Sequence, residues 1–398
     1  MKNLVWVLIL HSIVFNYSNC FPQSNTHDGP TVVRFLPQAY GIKSLNSFGT
    51  SYIVNEVSNL GLMNPASISG FENYSFGFSY QVSSSIDEAW IADFGTSRVY
   101  NFYPQSAGGI VKWNDFTFGL GFGQKYNGTL DMDPIPVTTV QQPDGTGEFI
   151  EIIDETMILS FSLISTYSFN EIFDTSDNFS FGVRYSLNQL RRFEEIGQVT
   201  GKATDYSSNI ALGISYKINI NDQQKFLFGA SLETKTDFKA KYEIDNNFLI
   251  IYDPEDTNHY QIPAETGDFY LSHSLPFELR FDLGVDATTD LKLLANLSRL
   301  FWKTKSTILE DQIEFSFSTI YDINEMFSAS LGFYSTKCEF TDTFYSRLNE
   351  GLNTIFLTGG LKINIDKLSI DLALADSHLF SGDYTKQTIG KLAIGINL

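Results

Sequence analysis

The chain has 398 residues, 26 Lys+Arg against 46 Asp+Glu for a formal net charge of −20, and only two Cys. That length accommodates two or three ordinary domains or one large β architecture. The acidic balance excludes nucleic acid as a partner, which is bound through clustered Lys and Arg. Charged residues make up 18% and aromatics 15%, with 35 Phe and 20 Tyr, where soluble domains carry roughly 25% charge.

The N-terminus reads as an export signal over residues 1–22: Lys2, an apolar run from Leu4 to Leu10 continuing through Ile13, Val14 and Phe15, then polar sequence. The run is too short to span a bilayer. Tyr17, Ser18 and Asn19 before Cys20 make a poor lipidation site. With Cys20 removed in the signal, Cys338 stands alone and no internal disulfide forms. No later segment offers 18 uninterrupted apolar residues, which leaves a soluble exported protein or a membrane β-barrel.

Residues 23–72 lack a strand pattern yet hold Phe35, Leu36, Tyr40, Ile42, Leu45, Phe48, Tyr52, Ile53, Val54, Leu60, Leu62 and Met63. So much apolar surface needs burial. The expectation is a hatch that fills a barrel, with a periplasmic docking arm as the alternative. Pro65 fixes its own φ and keeps Asn64 extended, so Asn64-Pro65-Ala66 marks a rigid turn just before the first strand.

From residue 73 the chain alternates. Tyr74, Phe76, Phe78, Tyr80 and Val82 interleave with Ser75, Gly77, Ser79 and Gln81, the signature of an extended strand with one apolar face. The pattern predicts about fourteen strands near 73–82, 106–114, 116–126, 155–169, 178–190, 207–219, 225–238, 275–286, 290–302, 311–321, 326–336, 353–364, 367–377 and 388–398. Many run 10–13 residues, longer than the usual five or six and enough for a tilted bilayer crossing. Alternation is poor in 106–114 and 290–302.

The connections alternate too. Those at 83–105, 127–154, 191–206, 239–274 and 337–352 are long, whereas Asn114-Asp115, Glu171–Asp177, Asn221-Asp222, Thr288-Thr289, Asp322–Glu325 and Ile365-Asp366 are tight. A soluble sandwich has no reason to sort its loops by rim, but outer-membrane barrels do. The fold expected is therefore all-β: a transmembrane antiparallel up-and-down barrel over residues 73–398, with apolar faces on lipid. The interleaved residues would face a polar lumen, giving Arg184, Lys217, Glu233, Glu278, Arg280, Asp282, Glu314 and Asp371 as lining candidates.

Little else suggests chemistry. Ser272-His273-Ser274 is read as a loop sequence with an ordinary histidine, since neighbours on an extended chain point opposite ways and cannot activate one another. Cys/His metal spacing and phosphate-binding glycine motifs are missing, so no catalysis, cofactor or metal is expected. The acidic loops 127–154 and 239–274 are read as solvated surface, with divalent cations shared with lipopolysaccharide as the alternative. Phe248, Leu249, Ile250 and Ile251 form an apolar tip within the second, suited to hydrophobic capture or a protein contact.

Two stretches together resemble the outer-membrane family of long-chain fatty acid transporters and toluene-type hydrocarbon channels. One runs from Gly49 to Ala66 and ends in Leu62-Met63-Asn64-Pro65-Ala66 ahead of an aromatic strand. The other opens at Leu275-Pro276 with Glu278-Leu279-Arg280 and Gly284, followed by a strand ending at Phe301-Trp302. The resemblance implies a fourteen-stranded barrel occluded by an N-terminal hatch carrying Asn64, Pro65 and Ala66. It implies passive uptake of hydrophobic small molecules and their release through a lateral opening. This sequence departs from the family in a short third loop, 191–206, and in ending on Leu398 rather than Phe. Barrels resembling this family also serve as partner-holding subunits of a secretion system, which is the second expectation. A monomer in contact with outer-membrane lipid and lipopolysaccharide is expected under the first.

Overall fold

A computed structural model describes residues 57–71, 74–88, 96–136, 149–172, 177–196, 199–220, 224–245, 248–252, 259–263, 269–302, 311–336, 354–380 and 385–398. The expected signal, most of the expected hatch and the tips of several long loops lie outside these residues. The described chain forms β1 (Tyr74–Glu88), β2 (Thr96–Trp113), β3 (Phe116–Pro136), β4 (Phe149–Asn170), β5 (Asn178–Ile196), β6 (Val199–Asn219), β7 (Lys225–Glu233), β8 (Thr236–Asp245), β9 (Phe248–Tyr252), β10 (His259–Pro263), β11 (Phe269–Leu275), β12 (Glu278–Asp286), β13 (Leu291–Leu300), β14 (Gln312–Asp322), β15 (Phe327–Thr336), β16 (Thr354–Ile365), β17 (Leu368–Asp376) and β18 (Thr385–Asn397).

From β1 to β7 and from β12 to β18 neighbours in sequence pair antiparallel, β8 pairs with β6 and β11, β7 pairs with β12, and β1 pairs with β18 from Ser75↔Asn397 to Asp87↔Thr385, which closes the sheet. Closure removes both sheet edges, as a strand in hydrocarbon must. β7 with β8, and β11 with β12, are two long strands each interrupted once, at Thr234-Lys235 and at Pro276-Phe277. Counting each as one gives a closed barrel of fourteen strands. β9 and β10 form a separate hairpin above it.

Alternation sets the two faces. On β1, Tyr74, Phe76 and Phe78 are exposed, while Ser75, Ser79, Gln81 and Ser83 are buried. Phe181, Val183, Tyr185 and Leu187 on β5, and Leu331 and Phe333 on β15, continue the exposed apolar belt. A belt of this kind around a closed barrel meets lipid tails. At one rim the turns are tight, and Asn114 and Asp366 adopt φ of 54° and 50° at two of them. Short polar side chains tolerate this left-handed conformation best after glycine.

The other rim departs from expectation. Residues 191–206 are not a loop: β5 and β6 run on, paired from Arg191↔Thr204 to Ile196↔Val199. Much of 127–154 and 239–274 likewise belongs to β3, β4, β8 and β11. These extensions carry polar residues on both faces, which hid their period, and main-chain pairing with a neighbour suffices to extend them.

Candidate functional site

The described part of the N-terminal segment lies within the barrel. Val57, Leu60, Met63, Ile68 and Phe71 pack with Ile110 of β2 and Ile164 of β4, both inward-facing. Two short 3₁₀ turns carry it, Val57–Asn59 and Pro65–Gly70. The second starts as its sequence dictates. Pro65 occupies the first helical position, where a missing N–H costs nothing, and the Asn64 side chain caps it by accepting from the Ala66 amide at 2.9 Å.

The same Asn64 reaches the wall. Its Nδ2 donates to the carbonyls of Ile214 (3.1 Å) and Ala230 (3.3 Å), which are register partners on β6 and β7. Thr166 Oγ1 donates to the Pro65 carbonyl at 2.6 Å, and Arg184 Nη1 to the Met63 carbonyl at 2.6 Å. Lys391 Nζ and Ser106 Oγ both donate to Asn59 Oδ1, at 3.1 and 3.0 Å. Asn64, Pro65 and Ala66 therefore sit against the wall between β4 and β7.

Glycines make this contact close. A Cβ on Gly182 would lie 2.4 Å from the Pro65 carbonyl carbon, and one on Gly213 would lie 2.0 Å from Asn64 Oδ1. Gly182→Val should displace the segment while leaving β5 paired, because valine suits a strand. Single-channel conductance in planar bilayers should rise, whereas Gly390→Val, whose Cβ meets nothing within 4 Å, should leave it unchanged. Equal conductance in both variants would show that the Pro65 contact does not hold the segment.

Above the hatch sits an ion cluster. Glu233 at the end of β7 receives Lys125 from β3 and Arg184 from β5, with Asn209 Nδ2 donating to it at 2.7 Å. Lys125 also donates to Asn209 Oδ1 at 3.2 Å, and Asn188 Nδ2 does so at 3.0 Å. Lys125 is the extra residue of a bulge between Gln124↔Leu159 and Tyr126↔Ile158. Beyond the cluster the lumen turns apolar, with Tyr126, Ile158, Leu190, Ala203, Phe238, Ala240, Leu275, Leu300 and Trp302 in one group. His273, read from sequence as a loop residue, is a fully buried residue of β11, edge-on to Tyr126 with ring centroids 5.7 Å apart.

The remaining candidates fall on β6, β12, β14 and β17. Glu278 pairs with Arg280 at 2.9 Å, and Arg280 Nε donates to Ser298 Oγ at 3.3 Å. Asp282 accepts from Asn296 Nδ2 at 2.7 Å, Glu314 is fully buried, and Lys217 shares the inward face of β6 with Asn209. Arg184, Glu233, Glu278 and Arg280 are thus brought together around one small pocket beside Met63 and Pro65, with Glu278 the register partner of Glu233, and Asp282 lies further along β12. Near the tight turns of β13–β17 lies a polar cavity of about 570 Å³, lined in part by Lys292, Asp322, Ser330, Lys362 and Asp371. Phe248, Leu249, Ile250 and Ile251 lie in β9, in the hairpin above the barrel. Among the described residues no three His, Cys, Asp or Glu side chains converge to hold a metal ion.

Lys125, Asn209, Asn59 and Tyr103 were not singled out from sequence. A lone lysine on the small-residue face of β3 was the available signal for the first. Tyr103 borders a break in the wall. β2 and β3 pair at Ser97↔Met132 and again from Ser106↔Gly123, but between these points they do not pair with each other, while residues 98–104 stay in register with β1 and most of 124–131 with β4. Pro104 stands in this interval, where an absent donor is tolerated. Tyr103 is hydrogen-bonded to Asn127 across the break and accepts from Gln81 Nε2 at 2.7 Å. The interval between β6 and β7–β8 is patched instead: Thr234 N donates to the Ile210 carbonyl at 2.9 Å, and Lys239 N to Asp205 Oδ2 at 2.6 Å.

Fold and site define an outer-membrane-type barrel that holds part of its own chain in the lumen, apolar in one half of that lumen and, among the described residues, unpaired between β2 and β3 over part of their length. Solved structures share this architecture. The Ralstonia pickettii toluene transporter TbuX aligns with a TM-score of 0.63 at 13% identity, over 92% of this chain and 99% of that one. The Pseudomonas putida toluene transporter TodX aligns at 0.57 and 12%, over 88% and 97%. A Pseudomonas aeruginosa FadL homologue aligns at 0.57 and 12%, over 87% and 95%. The chain has the fold of these barrels. No family model matches the sequence, and neither does any curated protein.

Proposed function

We propose that the protein is an outer-membrane channel through which hydrophobic small molecules enter by passive diffusion. Residues 23–72 act as its hatch, and the break between β2 and β3 is its lateral exit. The break is the observation that carries the reading. A lumen blocked along its axis by Asn64-Pro65-Ala66 but open through the wall delivers an apolar solute sideways into lipid, without crossing the charged groups at Glu233. The apolar group around Trp302 and Phe238 gives this half of the lumen an apolar lining. The substrates are neutral hydrocarbons of monoaromatic size or fatty acids. Barrels of the same fold are described as toluene transporters, which favours uptake over the partner-holding role in secretion. On this reading the protein is a monomer and performs no catalysis.

The test closes the exit. Tyr103→Cys and Asn127→Cys, in a Cys338→Ala background, are bridged with a short bifunctional maleimide in proteoliposomes. Entry of labelled toluene and of a labelled long-chain fatty acid should fall several-fold on bridging and stay unchanged in either single-cysteine control. Undiminished entry would place the route elsewhere, and no entry by the unbridged protein would end the uptake reading.

A further inference from the structure

The break between β2 and β3 is not a slip of register. Pairing stops after Ser106↔Gly123 and resumes at Ser97↔Met132, with eight residues on each strand between, 98–105 and 124–131. Both strands bulge where the break begins. On β2 the partners of β1 pass from Ser79↔Ser106 to Tyr80↔Pro104, which leaves Gln105 as an extra residue. On β3 the extra residue is Lys125. A bulge twists its strand and turns main-chain groups out of line, and Pro104 has no N–H to give. Two bulges and a proline within two residues of the last pair keep this ladder from closing.

One pair of side chains meets within the break. Tyr103 is the register partner of Gln81, which is buried on the lumen side, whereas the preceding Phe102 pairs with Val82 and both are exposed. Asn127 takes the opposite face. It pairs with Met157, which shares the outward side of β4 with exposed Phe161 and Leu163. Register partners point to the same face of a sheet, so the hydrogen bond between Tyr103 and Asn127 joins an inward position of β2 to an outward position of β3. The contact runs through the wall, and the phenol ring supplies most of its bulk. From β1, Ser83 also bonds the same hydroxyl, and Gln81 Nε2 donates to it at 2.7 Å. Tyr126, one residue before Asn127, lies in the apolar group of the lumen, and Phe102 stands on the lipid side at 71% exposure.

We propose that Tyr103 is the gate of the lateral exit and sets the size of solute that leaves through it, a role that rests on the break being that exit. At rest the ring fills the opening, and its hydroxyl ties the β1–β2 edge to β3. A solute leaves when the Asn127 bond breaks and the ring swings aside. That step rotates one side chain and unpairs no main chain, because β2 and β3 share no ladder there. The space vacated is that of one six-membered ring. Single-ring hydrocarbons and unbranched alkyl chains pass, and fused polycyclic ones are refused by bulk, which discriminates further than an apolar contact alone.

The test is uptake of labelled toluene and labelled phenanthrene by intact Gram-negative cells that have no hydrocarbon channel of their own, with cells lacking the protein as background. Wild type should raise toluene entry and leave phenanthrene at background. Tyr103→Ala should admit both, raising the ratio of phenanthrene to toluene about ten-fold. Tyr103→Phe keeps the ring and loses the tie, so toluene entry should rise about five-fold, the worth of one hydrogen bond, with phenanthrene still refused. Both solutes are followed in one preparation, so partial misfolding lowers them together and leaves the ratio alone. An unchanged ratio in Tyr103→Ala, with bridging of positions 103 and 127 still blocking toluene, would overturn the gate and leave the exit standing. Toluene entry undiminished by that bridge would overturn both. Entry of a labelled monosaccharide through Tyr103→Ala would show a general leak and overturn the gate as well.

Discussion

Leu331→Arg should cost about 2–4 kcal/mol of folding stability in lipid vesicles, because Leu331 lies near the middle of β15 on the exposed face and a cation there must leave water or distort the bilayer to reach it. Its neighbour gives the internal comparison. Ser330 sits at the same depth but points inward and lines the polar cavity of about 570 Å³. Ser330→Arg should therefore stay within about 1 kcal/mol of wild type, since an arginine has room and water there. Denaturant unfolding of both variants measures the difference. Equal losses would mean the faces of β15 are misassigned. On β1 the matching pair is a poorer test. Phe78 is 44% exposed, but Ser79 is fully buried with its Oγ 2.6 Å from Ser106 Oγ, so an arginine there would meet the hatch contacts.

Glu233→Gln should cost about 3 kcal/mol. Lys125 and Arg184 retain only 3% and 2% of their side-chain exposure, and one carboxylate serves both. Removing one partner of a buried ion group leaves charge without compensation, typically at about 3–5 kcal/mol. Glu233 keeps 19% of its side-chain surface, so water recovers part of the loss and the lower end applies. Lys125→Met added to Glu233→Gln should restore roughly half, because one buried cation goes with the anion. The loss should also reach the hatch, since Arg184 holds both Glu233 and the Met63 carbonyl. Protease cleavage within residues 57–71 should accelerate in Glu233→Gln. A variant as stable and as protected as wild type would show that the cluster is solvated rather than structural.

The barrel was legible wherever one face met lipid and the other met small or polar groups. Residues 178–190 and 311–321 are such stretches, and β5 and β14 follow them with inward Ser180, Arg184, Glu314 and Ser316. It was obscured where both faces are apolar. Residues 106–114 alternate poorly because inward Ile110 packs on the hatch. Residues 290–302 do so because inward Leu294 and Leu300 join apolar groups inside the lumen. Period-2 reading assumes one dry face, and a lumen with its own apolar packing breaks the assumption. Likewise, His273 was misplaced because polar Ser272 and Ser274 flank it, while Asp237 on the neighbouring strand supplies Ser274 with a hydrogen-bond partner at 2.7 Å.

Alternation with a period of two, aromatic content and the sorting of tight turns to one rim determined by themselves that this chain closes into a barrel in a membrane. Each depends on residues near in sequence, and side-chain direction along a strand follows from backbone geometry alone. Pro65 after Asn64 likewise marked a rigid turn before any contact was known. Only the tertiary structure decided what those pieces meet: that Asn64 joins the carbonyls of Ile214 and Ala230, that Lys125 reaches Glu233 with three strands of sequence between them, and that β2 and β3 part between Ser97 and Ser106. The physical reason is that these are contacts across a closed curve. Which inward residue faces which depends on strand stagger and on single-residue bulges such as that at Lys125, and a shift of one residue redirects every partner beyond it.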